Sequence, residues 1–141
     1  MTDKLQKVKN LIDNGHYEPA IDILNNLNGL SPKDERYRLL LLSYSLYNIR
    51  KYNLAITIAE TLLQKNSNNE YASQIKYLSC VELKDYDRAL DEIISFLSVN
   101  KANLYKITLE ELLTDIKDGF INNKDISDKI KELALNNNIS L

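Results

Sequence analysis

The sequence contains few of the residues that break helices, crosslink chains or bind metals. Its 141 residues include three Gly, two Pro, one Cys, one His and no Trp. A single Cys excludes an internal disulfide, and one Cys with one His excludes an ordinary zinc site. So few Gly and Pro supply too few tight turns for an all-β fold, which leaves a helical protein as the expectation.

A strong net charge and a long apolar segment are also missing. Eighteen Lys and Arg against twenty Asp and Glu give a formal net charge of -2. That balance lacks the basic surface of a nucleic-acid-binding protein. The longest aliphatic run, residues 39–42, is far shorter than the roughly 18 residues that cross a bilayer. Because the charged first ten residues also lack a signal-peptide pattern, we expect a cytoplasmic protein that inserts into no membrane.

What the sequence does contain is a repeat. The pattern Tyr, two residues, Ala and an aliphatic residue occurs at residues 17–21, 52–56 and 86–90, with steps of 35 and 34 residues. Phe120 follows Tyr86 by 34 residues and indicates a degenerate fourth copy, in which Asn123 stands in the place of Ala. Repeats of this length are typical of proteins built by stacking one supersecondary unit.

Between these marks, apolar residues recur with the period of an amphipathic helix. Leu39, Leu42 and Leu46 form one such stripe, and Ser31-Pro32 before it suits a helix start. Alanines at the repeated position would let the two helices of each copy approach closely, and the tyrosines would cover the end of the pair. The sequence predicts eight helices, at residues 3–14, 17–28, 33–49, 53–66, 69–83, 87–100, 103–118 and 123–137. The polar segments 66–69 and 100–103 are expected to cap the helices that follow them.

The repeat resembles the tetratricopeptide repeat family. Leu39, Leu42, Ser43 and Leu46, followed by Ala55 and Ala59, match the family's order of large, small and aromatic positions. The resemblance implies a single all-α domain over residues 1–141, a right-handed α-solenoid of about eight helices in antiparallel pairs. The repeats would span residues 3–33, 34–68 and 69–102, with a degenerate fourth pair and a capping helix in 103–138. Lys76 and Tyr77 depart from the pattern, since the family has Leu and a small residue there.

No catalytic constellation is present in the sequence. Three isolated glycines cannot form a phosphate-binding loop. Cys80 lies on the apolar stripe of its helix and is expected in the core, whereas His16 is expected in a solvated turn. Glu110 and Glu111 are adjacent on a helix and therefore point in different directions. We expect a protein that is not an enzyme and that has no cofactor and no metal.

The resemblance also implies a candidate binding surface, because the first helix of each pair lines the concave side of such a stack. The predicted helix 33–49 is apolar nearly all round, so its core stripe leaves further apolar residues on another side. The residues predicted to line a concave, tyrosine-rich groove are Tyr37, Leu40, Leu41, Tyr44, Tyr47, Tyr71, Ile75, Leu78 and Tyr105.

Several functions and occupants remain open for that groove. The first is an adaptor that holds a peptide or amphipathic helix of another protein, with a small chaperone as a subclass. The alternative is a homo-oligomeric scaffold in which the same patch pairs with itself. The tyrosines could instead pack on each other, or the C-terminal helix could fold back into the groove. A clamp for C-terminal carboxylates is disfavoured, since the inner positions hold mainly Leu, Tyr and Ile.

Overall fold

The computed structural model describes residues 2–141, and over this range it contains helices and no strand. The helices follow one another along the stack in chain order. Consecutive helices pack together from α1 to α6, and α8 packs against both α6 and α7. They are α1 Asp3–Asp13, α2 Tyr17–Asn26, α3 Pro32–Asn48, α4 Tyr52–Lys65, α5 Glu70–Glu82, α6 Tyr86–Val99, α7 Tyr105–Lys117 and α8 Lys124–Asn136. The predicted all-α fold, a solenoid of helix pairs, is therefore confirmed.

The helix ends fall where local chemistry predicts them, within two residues of the expected bounds. Ser31 caps α3 by accepting a hydrogen bond from the Asp34 backbone N–H, with a proline in the first turn. Asn69 caps α5 in the same way, accepting from the Ala72 N–H at 3.0 Å. Both caps satisfy backbone donors that the first turn of a helix leaves without an intrahelical partner.

The turn inside each helix pair uses the same backbone device in all four copies. Gly15, Arg50, Lys84 and Gly119 have positive φ values of 77, 65, 60 and 82°. A residue in this left-handed region just after a helix turns the chain and lets the next amides satisfy the last carbonyls of that helix. The fourth copy has thus kept the turn geometry although it has lost the alanine of the repeat.

The core confirms the predicted role of the small residues. Ala20, Ala55 and Ala89 are at most 1% exposed, so each pair closes around a side chain too short to hold the backbones apart. Cys80 is fully buried, as predicted. One large apolar cluster joins the first two pairs and reaches Ile75, and a second joins the third pair to α7 and α8. These shared clusters explain how the pairs stabilise one another, since no single pair buries both of its faces.

The start of α7 is held from another helix. The Glu70 carboxylate, at the start of α5, accepts hydrogen bonds from the backbone N–H groups of Asn103, Leu104 and Tyr105 at 2.8, 2.9 and 3.0 Å. The expectation that the polar segment 100–103 would cap this helix with its own side chain is wrong, because α7 has no local side-chain cap. A negative charge at a helix N-terminus is favourable, so this contact ties α7 to α5.

Tyr105 is consequently not a groove residue, and the prediction that placed it there is wrong. Its side chain is fully buried, and its ring meets Tyr77 and Phe96 edge-on at centroid distances of 6.0 and 5.8 Å. Its hydroxyl lies 2.7 Å from Oγ of Ser73. The physical reason is the anchored start of α7, where the contact to Glu70 turns the first residue of the helix toward the core.

The unusual Lys76 of the third copy is accommodated by paired charges. Its Nζ lies 2.9 Å from Oε1 of Glu92 and 3.1 Å from Oε2 of Glu60. The Ser73 hydroxyl donates to the other oxygen of Glu92 at 2.6 Å. Burial alone would lower the pKa of Lys76, but the bonds to Glu92 and Glu60 outweigh it and raise that pKa above its ordinary value. The network links α4, α5 and α6 and, through Ser73, reaches Tyr105.

The C-terminal residues pack on the end of the stack. The side chain of Asn137 accepts a hydrogen bond from the Ala102 N–H and donates to the Leu133 carbonyl, both at 2.8 Å. Ile139 is 9% exposed and belongs to the second apolar cluster. Because α8 packs against α6 and α7, it caps the stack, and the alternative in which it folds back into the groove is wrong.

Candidate functional site

One concave cavity of about 570 Å³ gathers almost all of the predicted surface residues. It lies between α1, α3 and α5, the first helices of three successive pairs. We call it the tyrosine groove. Of the predicted residues it contains Tyr37, Leu40, Leu41, Tyr44, Tyr47, Tyr71, Ile75 and Leu78, that is, all except Tyr105.

The spacing along α3 explains how one helix serves both the core and the groove. Leu39, Leu42 and Leu46 are at most 7% exposed and face the core. A second stripe, shifted by one or two residues, turns Tyr44 and its neighbours toward the cavity. Tyr44 is 42% exposed, whereas Leu41 is 8% exposed and forms part of the floor. The groove therefore has an apolar floor and a rim of accessible tyrosines.

The first helix pair contributes groove residues that the sequence analysis missed. Ile12 and Tyr17 line the cavity, and the Tyr17 ring meets Tyr44 edge-on at a centroid distance of 6.3 Å. Tyr52, the equivalent residue of the second copy, contacts Tyr47 at 5.7 Å. The repeat pattern contained the signal, because Tyr17 and Tyr52, the repeated tyrosines of the first two pairs, both contact tyrosines of α3.

These ring contacts decide whether the tyrosines fill the groove by themselves. Each contact is edge-on and joins a groove tyrosine to a turn tyrosine, so the groove tyrosines Tyr44 and Tyr71 remain 42% and 59% exposed. Burial raises the pKa of Tyr17, and the adjacent Tyr44 raises it further. Burial likewise raises the pKa of Tyr47, with Glu82 adding to the effect. The hydroxyls of Tyr17 and Tyr47 are therefore neutral at physiological pH and can both donate and accept hydrogen bonds.

The lining of the groove carries almost no free charge. Its charged members are Lys9 and Asp13, and these two pair with each other across one helical turn at 3.2 Å. A clamp for a terminal carboxylate needs several cationic or amide donors pointing inward, and this lining offers one paired lysine and Gln74. The groove thus favours an uncharged, mainly apolar occupant.

The residues that could support chemistry do not come together. Burial raises the pKa of the Cys80 thiol, which disfavours the reactive thiolate form. His16 is exposed in the turn between α1 and α2, as predicted. Within residues 2–141 no cluster of His, Cys, Asp and Glu has the arrangement of a metal site. No described helix combines the length and apolar character needed to cross a membrane.

The comparison with known families adds to this geometry. Residues 13–96 match the family described as anaphase-promoting complex, cyclosome, subunit 3, which is a tetratricopeptide-type repeat family. The match spans more than half of the chain. The chain belongs to this family. Tetratricopeptide-type repeats generally bind other proteins and are not catalytic, so this repeat protein is a protein-interaction module. The comparisons with curated proteins and with solved structures gave no match.

The bounds of the family match coincide with a change in the structure. The matched segment, residues 13–96, runs from the last residue of α1 into α6, and α7 and α8 lie outside it. The tyrosine groove lies mostly within the matched segment, whereas the buried Tyr105 lies beyond it. The fourth helix pair therefore differs from the others both in its sequence pattern and in the way its first helix is placed.

Proposed function

We propose that this tetratricopeptide-type repeat protein is a small adaptor whose tyrosine groove holds a peptide or helical segment of a partner protein. The observation that carries the proposal is the convergence of Tyr37, Tyr44, Tyr47 and Tyr71 on one cavity with an apolar floor. Tyrosine supplies a large contact area and a hydroxyl while losing little side-chain entropy on binding. A groove of this composition favours protein segments over small charged ligands.

The lining also favours a particular kind of segment. An amphipathic helix presents apolar side chains three and four residues apart, which can enter a groove between parallel helices as successive anchors. The hydroxyls at the rim can bond to polar side chains at the edge of that helix. Because Lys9 and Asp13 neutralise each other, a bound helix with a strongly acidic or strongly basic face would gain no affinity for the groove from that charge. We propose an apolar helix face bordered by uncharged polar residues.

The same surface suits a chaperone-like role as a subclass of this function. A protein that covers an apolar helix of its partner keeps that helix soluble until the partner assembles. We propose that the protein does this in the cytoplasm. An alternative occupant is the groove region of a second copy of the chain, which would make the protein a homo-oligomeric scaffold.

The proposal is tested by the double substitution Tyr44→Ala and Tyr71→Ala. Tyr71 is 59% exposed, and Tyr44 is 42% exposed with an edge-on contact to Tyr17. The free energy of unfolding should therefore fall by less than about 0.5 kcal/mol for Tyr71→Ala and by about 0.5–1.5 kcal/mol for Tyr44→Ala. Capture of the partner from host lysate should fall strongly, because aromatic anchors dominate such interfaces. Quantitative mass spectrometry of the captured proteins, with urea unfolding of the same variants, measures both effects.

The matched control removes two exposed apolar side chains outside the groove, Leu54→Ala and Val99→Ala, which are 53% and 81% exposed. This variant should capture the partner as well as the unchanged protein does. Equal losses in the two variants would contradict the proposal. Sedimentation addresses the alternative: a dimer that dissociates in the tyrosine variant would establish the scaffold in place of the adaptor.

A further inference from the structure

A second cavity, of about 650 Å³, opens between the third and fourth helix pairs. Its walls are mainly apolar and come from α5, α6, α7, the segment between α7 and α8, and the start of α8. They include Val81, Leu90, Leu112, Ile121 and Ile126. We call this cavity the interpair crevice. It shares no lining residue with the tyrosine groove. Its volume lies in the range of about 300–1,000 Å³ that is common for ligand sites.

The crevice exists because the fourth pair is held away from the third. Phe96 of α6 and Tyr105 of α7 place two aromatic rings between these helices, with centroids 5.8 Å apart. The backbones of α6 and α7 consequently come close at few positions, whereas α4 and α5 pack closely. Asn123, where the other copies have a buried alanine, lines the crevice and caps α8 by accepting from the Ile126 N–H.

The rim of the crevice carries negative charge without a cationic counterpart. Asp87 and Asp115 line it, and no Lys, Arg or His does. Among residues 2–141 neither carboxylate takes part in an ion pair. Lys124, close to the crevice in sequence, is paired with Asp128 at 2.7 Å. A cation arriving from outside would therefore meet two available carboxylates.

Two exposed aromatic rings stand beside these carboxylates. Phe120 is 78% exposed and Tyr86 is 56% exposed, and both line the crevice. Tyr17 and Tyr52 of the earlier copies pack against tyrosines of α3, whereas Tyr86 makes no such ring contact in the described chain. Aromatic faces attract Lys and Arg side chains, and the attraction adds to that of neighbouring carboxylates.

From this combination we propose that the interpair crevice binds a segment of another protein that carries a large apolar side chain next to Arg or Lys. The apolar side chain enters between Leu90, Leu112 and Ile126. The cationic side chain lies at the rim, between the carboxylates of Asp87 and Asp115 and near the ring of Phe120. This site is separate from the nearly uncharged tyrosine groove and takes an occupant of different chemistry.

A pair of synthetic peptides tests the proposal on the full chain. The first is acetyl-Ser-Gly-Leu-Arg-Phe-Leu-Gly-Ser-amide, and the second has Glu in place of Arg. Amide NMR spectra should show saturable shifts at residues 86–90 and 120–123 with the Arg peptide, and the Glu peptide should bind at least about tenfold more weakly. Equal affinities, no saturable binding, or shifts confined to the tyrosine groove would each overturn the proposal.

Substitutions assign the binding to the rim. Asp87→Asn with Asp115→Asn should weaken binding of the Arg peptide by roughly tenfold, and Phe120→Ala, at an exposed ring, should also weaken it. Asp22→Asn with Asp91→Asn removes the same amount of charge from exposed positions outside the crevice and should leave the affinity unchanged. If both double variants lost the same affinity for the Arg peptide, the effect would come from net charge alone, and the proposal would be overturned.

Discussion

Tyr71 and Tyr105 occupy the same position of the repeat, 34 residues apart, yet their surroundings are opposite. Tyr71 is 59% exposed on the rim of the tyrosine groove, whereas Tyr105 is fully buried. The residue type and the spacing are equal, so the difference comes from the placement of the helix. The carboxylate of Glu70, on another helix, holds the start of α7, whereas Asn69 caps the start of α5 locally.

The comparison shows what a repeat period can and cannot establish. The period fixes where each helix begins and which turn joins each pair, because these depend on local caps and turn residues. The rotation of a helix about its own axis depends on contacts with distant residues. At Tyr105 an anchoring carboxylate, two aromatic contacts and a hydrogen bond with Ser73 accompany the burial of a residue whose equivalent in α5 is exposed.

The largest expected effect separates the two tyrosines directly. Tyr105→Ala should destabilise the fold by about 3–5 kcal/mol, because it empties a fully buried aromatic position. Tyr71→Ala should change the free energy of unfolding by less than about 0.5 kcal/mol. Urea unfolding of the two single variants measures both values. Similar losses in the two variants would mean that Tyr71 also belongs to the core.

Alkaline pH should sharpen the same contrast. Burial, with Glu111 and Asp115 adding to it, raises the pKa of Tyr77 to about 12, while the unfolded chain titrates near a pKa of about 10. A pKa raised in the folded state stabilises the fold below about pH 10, and this contribution is lost as the pH rises toward 12. The loss from Tyr77 alone should be about 2–3 kcal/mol.

Unfolding midpoints measured across this alkaline range test the assignment. Because burial also raises the pKa of Tyr105, both buried tyrosines contribute to the loss of stability. Tyr77→Phe should make the loss of stability with pH less steep, because it removes one of the groups that titrates. Leu54→Ala is the control at an exposed position that carries no titratable group and should leave the slope as it is. A slope that stays the same in Tyr77→Phe would contradict the buried environment of this hydroxyl.

A smaller effect is expected from bulk added to a closely packed pair. Ala55 is fully buried between α3 and α4, and Ala55→Leu should destabilise by about 1–3 kcal/mol through overpacking. At the corresponding place of the fourth copy, Asn123 is exposed and caps α8, so Asn123→Leu should cost no more than Asn123→Ala, which loses the same cap. Thermal melting of these variants compares the pairs, and a further loss of stability in Asn123→Leu beyond that of Asn123→Ala would mean that the fourth pair is packed as closely as the second.

The smallest effect concerns the turn that all four copies share. Lys84 has a φ of 60°, which a residue with a Cβ adopts at some cost. Lys84→Gly should stabilise the protein by about 0.5–1 kcal/mol, because the gain at positive φ exceeds the extra entropy of the unfolded chain. Chemical unfolding checks the sign. Lys33→Gly, at an exposed residue in the first turn of α3, should instead destabilise.

Most of the fold could be predicted from the sequence, because caps, apolar stripes and buried alanines act within one copy. Ser31, Asn69 and Ala55 each do what their local pattern indicates. Most of the groove residues could also be predicted from the sequence, since α3 has more apolar residues than its core face can bury. The burial of Tyr105 could not be predicted, because it depends on Glu70, and neither could the pairing of Lys76 with two glutamates on other helices. Tyr17 belonged to the repeat pattern, but its reach to Tyr44 depends on how two pairs stack.

The most direct test of the central claim is site-specific photo-crosslinking in the native host. A photoreactive amino acid in place of Gln74, which lines the tyrosine groove, should form an adduct with a partner protein. The same residue in place of Gln64, exposed on α4 and outside the groove, should give no such adduct. Adducts of equal yield at the two positions, or adducts at position 74 only with a second copy of this chain, would contradict the claim that the groove holds a segment of another protein.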